Sequence, residues 1–220
     1  MTQAPNISQD RPPKGYFKYI LAVDSETTGL NKVKNEGDVS DGHQAVSWGL
    51  IVADAETLIP VEKLYLEVKW NEQSKRRKEL DPEFGVTASS IHGLSYSYLE
   101  ENGIDEADAV VQILELILKY WGPTNELKCL GHNVSEFDIP FMKSMFKRYG
   151  VDVKFANRQY DTNSIGWAMT GSFTSDAFFS TMGFDTRESH NSLEDASMAL
   201  ESTRRLRVIW NDSVGLKAYE

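Results

Sequence analysis

The sequence has a single cysteine, Cys129, so a disulfide bond within the chain is excluded. A chain without disulfides suits a reducing compartment, and a cytoplasmic location is therefore expected. The sequence also lacks any apolar run approaching the ~18 residues that a membrane-spanning helix needs. No internal repeat and no low-complexity stretch is present. These absences favour an ordinary soluble globular protein that has no membrane partner.

Positive charge is also scarce. The chain carries 23 basic and 33 acidic residues, which gives a net charge of −10. Taken alone, this balance argues against broad electrostatic binding of nucleic acid. It does not exclude a nuclease that reaches phosphates through bound cations and a small local basic patch. The cluster Lys75-Arg76-Arg77-Lys78 is a candidate for such a patch, and a solvated charged loop is an equally good interpretation.

The length of 220 residues indicates one domain with a substantial core. The first 15 residues are polar and contain proline, without the apolar segment of a signal peptide. We therefore predict a disordered N-terminal tail over 1–15, a folded domain over 16–210 and a C-terminal tail over 211–220.

Apolar patterning predicts most of the secondary structure. Strands are expected over 16–24, 45–53, from a turn at Asp54 to near Trp70, over 127–130 and over 158–160, and helices over 105–121, 134–149 and 192–210. Residues 31–44 are predicted to form a loop and 71–104 an irregular region, and a short helix is allowed after Asp161. The order β-β-β-α-β-α-β-α predicts a mixed sheet with helices on both faces. Trp48, Trp70 and Trp121 are expected in the core.

Two acids lie at the end of the first predicted strand. Side chains alternate along a strand, so Asp24 and Glu26 should point to the same side. Two unpaired anions there would repel each other and bear a large desolvation cost. A divalent cation would remove that conflict, because carboxylate oxygens suit Mg²⁺ and Mn²⁺. Alternatively, the strand ends at Val23 and both acids are solvated loop residues.

A third acid opens a predicted helix. Asp138 leads the apolar stripe of Met142, Met145 and Tyr149, so its side chain should face the sheet. The competing interpretation is structural, because Ser135 and Asp138 have the spacing of a capping box and an acid suits the first helical turn.

A histidine lies just before the last predicted helix and a fourth acid lies in its first turn, in the segment His190-Asn-Ser-Leu-Glu-Asp195. Imidazole is the side chain best able to accept a proton near neutral pH. Its position five residues before a helical carboxylate would let both groups reach one centre. Alternatively, Ser192 and Asp195 form a capping box and His190 is a surface residue. Each of the three segments has such a structural explanation, but their joint occurrence in this order does not.

Together the segments resemble the DnaQ-like, DEDDh-type 3′→5′ exonucleases. The resemblance rests on Val23-Asp-Ser-Glu-Thr-Thr-Gly-Leu30, on Gly131-His-Asn with Phe137-Asp-Ile-Pro-Phe-Met142, and on His190 with Asp195. Ile91-His-Gly-Leu94 is similar to a further loop of the family. Two features depart from the family pattern. Four residues separate Asn133 from Asp138 where bacterial proofreading subunits have three, and the segments 31–44 and 71–80 are longer than the minimal core.

The resemblance implies an RNase H-like fold, a three-layer αβα arrangement with a central mixed five-stranded sheet. It implies that Asp24, Glu26, Asp138 and Asp195 hold two divalent cations, Mg²⁺ or Mn²⁺, and that His190 is the general base. Residues carried over for contacts to the substrate are Thr27, Thr28, Leu30, His92, Asn133 and Phe137.

The activity so implied is hydrolysis of nucleic-acid 3′ ends, with single-stranded DNA preferred, to nucleoside 5′-monophosphates by a two-metal mechanism. The resemblance also admits a DNA polymerase or replication factor as a partner. Two alternatives remain open: an oligoribonuclease-type enzyme acting on short RNA, and a catalytically silent module that binds nucleic-acid ends.

Overall fold

The computed structural model describes residues 17–30, 42–123, 126–185 and 190–213. Five strands and eight helices form within these ranges. The strands are β1 Tyr19–Thr27, β2 Ala45–Asp54, β3 Pro60–Glu67, β4 Cys129–Gly131 and β5 Tyr160–Asp161. The helices are α1 Glu72–Leu80, α2 Val86–His92, α3 Tyr96–Asn102, α4 Glu106–Trp121, α5 Asp138–Arg148, α6 Thr162–Thr170, α7 Ser175–Thr181 and α8 Ser192–Ser213.

The strands form one mixed sheet in the order β3-β2-β1-β4-β5. The first three strands pair antiparallel as a meander, whereas β4 pairs parallel to β1 and β5 parallel to β4. The predicted mixed five-stranded sheet is thus confirmed. Strand β1 lies in the middle of the sheet, hydrogen bonded to β2 on one side and to β4 on the other.

Alternating side chains of β1 serve two separate cores. Leu21 and Val23 pack on one face of the sheet, in a cluster that includes residues of α4 and α5. Ile20 and Ala22 pack on the other face, against α7 and α8. The three-layer αβα arrangement is therefore confirmed. Alternation continues as far as Glu26, so Asp24 and Glu26 lie on the side of α8 and Ser25 lies on the side of α5.

The prediction that residues 71–104 are irregular is wrong, because α1, α2 and α3 all lie in this segment. Helix α1 (EQSKRRKEL) has no apolar stripe, so periodicity gave no helical signal. It is stabilised locally, since the side chain of Asn71 accepts a hydrogen bond from the amide of Ser74. The two following helices have only seven residues each, too few to show a period. This region packs around a small core that consists of Val46, Trp70, Phe84 and Leu99.

Other boundaries differ by a few residues. The first strand begins and ends three residues later than predicted, α5 begins at Asp138 after a turn over 134–137, and α8 extends to Ser213. Helix α6 matches the short helix allowed after Asp161, whereas α7 was not predicted. Trp48, Trp70 and Trp121 are buried, as predicted.

The predicted tail over 1–15, most of the loop over 31–44 and most of the tail over 211–220 lie outside the described residues. Within the described ranges, no helix is both long and apolar enough to cross a bilayer.

Candidate active site

A cavity of about 830 Å³ opens at the carboxyl end of β1. Asp24 and Glu26 line it from within the strand, because β1 continues to Thr27. The alternative in which the strand ends at Val23 is therefore wrong. Ser25 is buried between these two acids and faces the opposite side of the sheet. The paired carboxylates thus point to the same side, as the alternation of a strand requires.

The amino-terminal end of α8 packs directly on the sheet beside these acids. A Cβ atom on Gly49 of β2 would lie 2.2 Å from the backbone of Ser192, so only glycine allows this approach. The hydroxyl groups of Ser47 and Ser192 are hydrogen bonded at 2.8 Å, and both residues are fully buried. The side chain of Asn191, and not that of Ser192, caps the helix by accepting from the amides of residues 193 and 194. The capping-box interpretation of Ser192 and Asp195 is therefore wrong.

This packing brings Asp195 and His190 to the acids of β1. Asp195 is 5% exposed and lines the cavity, as does His190. Each of Glu26, His190 and Asp195 offers one ligand atom, and these atoms all lie within 4.8 Å of one another. His190 Nδ1 lies 3.5 Å from Asp195 Oδ2. Residues separated by more than 160 positions in the sequence therefore meet at a single point, with Asp24 lining the same cavity.

Asp138 lies on the other face of β1. Its side chain is 1% exposed, and its Oδ1 accepts a 2.7 Å hydrogen bond from the hydroxyl of Ser25. Among the described residues, its buried Oδ2 has no hydrogen-bond partner. Burial raises the pKa of Asp138 to about 7, the hydrogen bond from Ser25 opposes this rise, and the charge of Glu26 adds to it. Asp138 faces the sheet as predicted, but it supports the strand that carries the acids instead of lining the cavity. The N-cap of α5 is Phe137 and not Ser135, and the side chain of Phe137 makes no capping hydrogen bond. Ser135 and Asp138 therefore do not form a capping box.

The charges of the cavity favour cations. Five carboxylates line it, whereas Arg77 is the one lysine or arginine among its described lining residues. An anionic phosphodiester would be repelled by such a surface unless positive charge were added. The close set of carboxylate and imidazole atoms has the donor chemistry that divalent cations bind. The residues present therefore fit the cations implied by the sequence.

All six residues predicted for substrate contacts line the cavity: Thr27, Thr28, Leu30, His92, Asn133 and Phe137. Leu30 is largely exposed at the rim. The ring of His92 is buried, with Nε2 donating to the carbonyl oxygen of Thr27 at 3.2 Å. Burial lowers the pKa of His92, and the nearby His190 lowers it further, while the hydrogen bond to Thr27 opposes the change. The neutral ring of His92 thus holds the end of β1 through this hydrogen bond. That these six residues contact a substrate stays a prediction.

Sequence patterns missed several residues of the cavity. His43 stacks on Phe84 with ring centroids 4.6 Å apart, and its Nδ1 lies 3.1 Å from the hydroxyl of Thr28. The neighbouring Gln44 is fully buried and joins three segments. Its backbone amide donates to Thr28 Oγ1, its side-chain amide donates to the carbonyl of Lys69, and its Oε1 accepts from the amide of Asn71. No local signal marks such residues, because they matter only through partners distant in the sequence.

The opposite wall of the cavity includes His132, Ser175 and Phe179. The rings of His132 and Phe179 meet edge to face at 6.2 Å. Helix α7, which periodicity did not predict, contributes Ser175 and Phe179. Ser175 is the first residue of this seven-residue helix, so the start of α7 lies at the site.

The basic cluster at residues 75–78 lies on α1 and is mostly engaged with the protein itself. Lys75 pairs with Glu100 at 3.0 Å, and Lys78 lies over the rings of Trp70 and Tyr96. Arg77 alone of the four lines the cavity. The structure thus favours a local role for the cluster over a broad basic surface.

Comparisons with known proteins give the class of the fold. No protein-family model matches the chain, and no curated protein sequence matches it. Solved structures do match. The nuclease domain of 3′hExo, a DEDDh family member bound to rAMP, has a TM-score of 0.64 at 13% identity, and the alignment covers 94% of this chain and 98% of that one. The zinc-bound complex of E. coli exonuclease I with single-stranded DNA has a TM-score of 0.62 at 16% identity, covering 87% and 41%.

A further match is exonuclease I from Methylocaldum szegediense, with a TM-score of 0.62 at 19% identity. That alignment covers 90% of this chain and 43% of the enzyme, so the chain spans less than half the length of the exonuclease I proteins. The structural neighbours thus include a DEDDh-family 3′-exonuclease and two exonuclease I proteins, and this chain shares their fold.

Proposed function

We propose that the chain is a metal-dependent 3′→5′ exonuclease that hydrolyses the 3′ ends of single-stranded nucleic acid to nucleoside 5′-monophosphates. One observation carries the proposal: the ligand atoms of Glu26, His190 and Asp195 lie within 4.8 Å of one another in a cavity that Asp24 also lines. The fold of 3′-exonucleases supports the same activity, although at 13–19% identity it does so only as a fold.

Asp24, Glu26 and Asp195 would hold two divalent cations, with Asp138 supporting the site from behind β1. The bound cations would lower the pKa of a water molecule and neutralise charge on the phosphate. The lining residues then have three tasks. The carboxylates set the position of the cations, the loop of Thr27 and Thr28 receives the terminal nucleotide, and the apolar side chains of Leu30 and Phe137 contact its sugar and base.

His190 is the proposed general base. Its Nδ1 faces Asp195 Oδ2 at 3.5 Å, so Nε2 is the ring nitrogen turned to other groups. The side chain is 40% exposed, which gives water access to the ring. An imidazole that is open to water beside the carboxylates of the cavity is placed to act as a general base. His190 would take a proton at Nε2 from the attacking water as the phosphodiester bond breaks.

The substrate is proposed as single-stranded DNA, with short RNA as the alternative. The neighbours do not decide between them, since 3′hExo was solved with rAMP and E. coli exonuclease I with single-stranded DNA. The acidic character of the chain disfavours long duplexes, whose binding depends on many phosphate contacts. A panel of single- and double-stranded DNA, RNA and dinucleotides, each labelled at the 5′ end, would rank the substrates.

The test of the activity uses this panel with Mg²⁺, with Mn²⁺ and with EDTA. We expect stepwise shortening from the 3′ end that EDTA stops. Asp24→Ala and Asp195→Ala should abolish hydrolysis, and His190→Ala should lower it about 10²–10⁴-fold with the fold intact. Glu194→Ala is the matched control, because this exposed acid is adjacent to Asp195 but points to solvent.

Activity of Asp24→Ala within about tenfold of the wild type would refute the assignment of the site. Binding of oligonucleotides without any hydrolysis under all metal conditions would instead support a silent module that recognises nucleic-acid ends.

A further inference from the structure

Two large aromatic side chains are exposed next to the candidate active site. Trp167 of α6 is 55% exposed, and Phe173 in the loop after α6 is 65% exposed. Their rings are nearly parallel, with an interplanar angle of 18° and centroids 6.4 Å apart. Their exposure leaves part of each ring surface available to a further planar group. Exposed aromatic rings leave apolar surface in water, and flat aromatic faces are surfaces on which nucleic-acid bases stack.

The pair is fixed to the wall of the cavity. The carbonyl oxygen of Phe173 accepts hydrogen bonds at 3.0 Å from His132 Nε2 and from the side-chain amide of Asn163. His132 lines the cavity, and so does Ser175, two residues after Phe173. Two residues of chain span at most ~7 Å, so Phe173 lies close to the rim.

The supporting helices are also packed tightly. A Cβ atom on Gly166, the residue before Trp167, would lie 3.1 Å from Phe178 of α7. Asp161 Oδ1 accepts from the amides of Asn133 and Asn163, which joins the start of α6 to the cavity. The backbone that carries the aromatic pair is therefore held in place before any ligand binds, which lowers the entropic cost of ordering this segment on binding.

We propose that Trp167 and Phe173 form a stacking platform for the bases of a single-stranded nucleic acid, upstream of the nucleotide that enters the cavity. The proposal rests on the proposed exonuclease function and deepens it. Charge explains why stacking would be used here. The chain carries a net charge of −10, and the one lysine or arginine among the described residues of the cavity is Arg77. Base stacking on aromatic rings does not depend on positive charge and accepts any base.

The test compares substrates of two lengths, a dinucleotide and an oligonucleotide of about 20 nucleotides. Trp167→Ala and Phe173→Ala should each raise KM for the longer substrate about fivefold to a hundredfold, the range of one lost base stack. KM for the dinucleotide and kcat for both substrates should change by less than about twofold, since the platform lies outside the reacting atoms. Trp167→Tyr keeps an aromatic ring and should restore most of the affinity. Trp210→Ala is the control, because Trp210 is 65% exposed on α8 and lies outside the cavity.

A second experiment removes bases from the oligonucleotide instead of an aromatic ring from the protein. An oligonucleotide with abasic sites at the second to fourth positions from the 3′ end should bind the wild type as weakly as the intact oligonucleotide binds Trp167→Ala. Combining both changes should add little, because both remove the same contact. Fluorescence anisotropy with Mg²⁺ present, on a labelled oligonucleotide whose 3′-terminal linkage is a phosphorothioate to slow hydrolysis, measures this binding, and thermal unfolding verifies that each variant is folded.

The outcomes separate the two proposals. A wild type that hydrolyses oligonucleotides while both alanine variants keep its KM would overturn the platform and leave the exonuclease function standing. A wild type that neither hydrolyses nor binds nucleic acid would overturn both. Equal losses for the dinucleotide and the longer substrate would also overturn the platform, since they would place the rings within the terminal subsite. A change in oligomeric state without a change in oligonucleotide affinity would assign the surface to protein contacts instead.

Discussion

The hydroxyl group of Ser25 donates a 2.7 Å hydrogen bond to the carboxylate of Asp138, on the face of β1 opposite to Asp24 and Glu26. One strand residue therefore connects the buried acid of α5 with the two acids of the cavity. This contact makes Asp138 part of the support of the strand, and it gives the site a pH dependence that can be measured.

The first prediction concerns stability without cations. The pKa of Asp138 is about 7 in the folded chain against an ordinary value of 3.8. Between these values the folded state holds more protons than the unfolded state, so this group makes stability fall as pH rises from about 4 to 7. Asp138→Asn removes the charge but keeps an oxygen for Ser25. We expect the free energy of unfolding of this variant, relative to the wild type, to increase between pH 5 and pH 8.

Urea denaturation in EDTA at both pH values measures this difference. Asp108→Asn on the exposed side of α4 serves as the control, with no such pH-dependent gain expected. A difference between Asp138→Asn and the wild type that is the same at both pH values would show that Asp138 does not titrate in this range.

The second prediction concerns cation binding. A cation that binds only the folded state raises its stability by mass action, by about 2.7 kcal/mol at one hundred times the dissociation constant. Titration with Mn²⁺ should therefore raise Tm of the wild type, and Asp195→Asn and Glu26→Gln should lose most of that rise. Differential scanning fluorimetry in metal-stripped buffer measures it. Glu194→Gln should respond as the wild type does, and a loss of response in this variant as well would point to a nonspecific effect.

The third prediction concerns the contact between α8 and the sheet. A methyl group at Gly49 would lie 2.2 Å from the backbone of Ser192, and the backbone can only yield by moving the helix that carries Asp195. Gly49→Ala should cost about 1–3 kcal/mol of stability and also reduce hydrolysis sharply. Thermal unfolding and the nuclease assay are measured on the same preparation.

The variant Gly150→Ala separates a loss of stability from a loss of hydrolysis caused by displacement of α8. Gly150 lies two residues after the end of α5, with φ +69° and open space around it, so alanine there strains only the backbone. It should lower Tm and keep the specific activity at a temperature where the variant is folded. Equal activity of Gly49→Ala and Gly150→Ala would contradict the proposed importance of the α8 contact.

The fourth prediction concerns Cys129, which lies in β4 with no exposed surface. Burial, together with the charge of Asp138, raises the pKa of its thiol, so the reactive thiolate is suppressed. A thiol reagent such as DTNB should not react with the native chain over hours and should react fully in denaturant. Activity should be the same with and without reductant. Rapid labelling of the native chain would mean that β4 opens locally, since access requires separation from its neighbours.

Much of the fold was predicted from local pattern. Strand β2 and helix α4 matched within a residue, because each has a complete apolar period and a clear stop, such as Gly122 after α4. The mixed character of the sheet followed from the order of these elements. By contrast, α1 is polar on all sides and α2, α3 and α7 have seven residues each, so they form through caps and packing that no periodicity reveals.

The sequence by itself determined which residues are candidates for chemistry, since Asp24, Glu26, Asp138, His190 and Asp195 are all identifiable by type, spacing and family resemblance. The tertiary structure decided how they are arranged. It put Asp138 behind the strand with Ser25, brought Asp195 onto the sheet through Gly49, and added Gln44 and the Trp167–Phe173 pair to the surroundings of the site. The physical reason is that alternation along a strand and the face of a helix are set locally, whereas contact between distant segments depends on packing of the whole core.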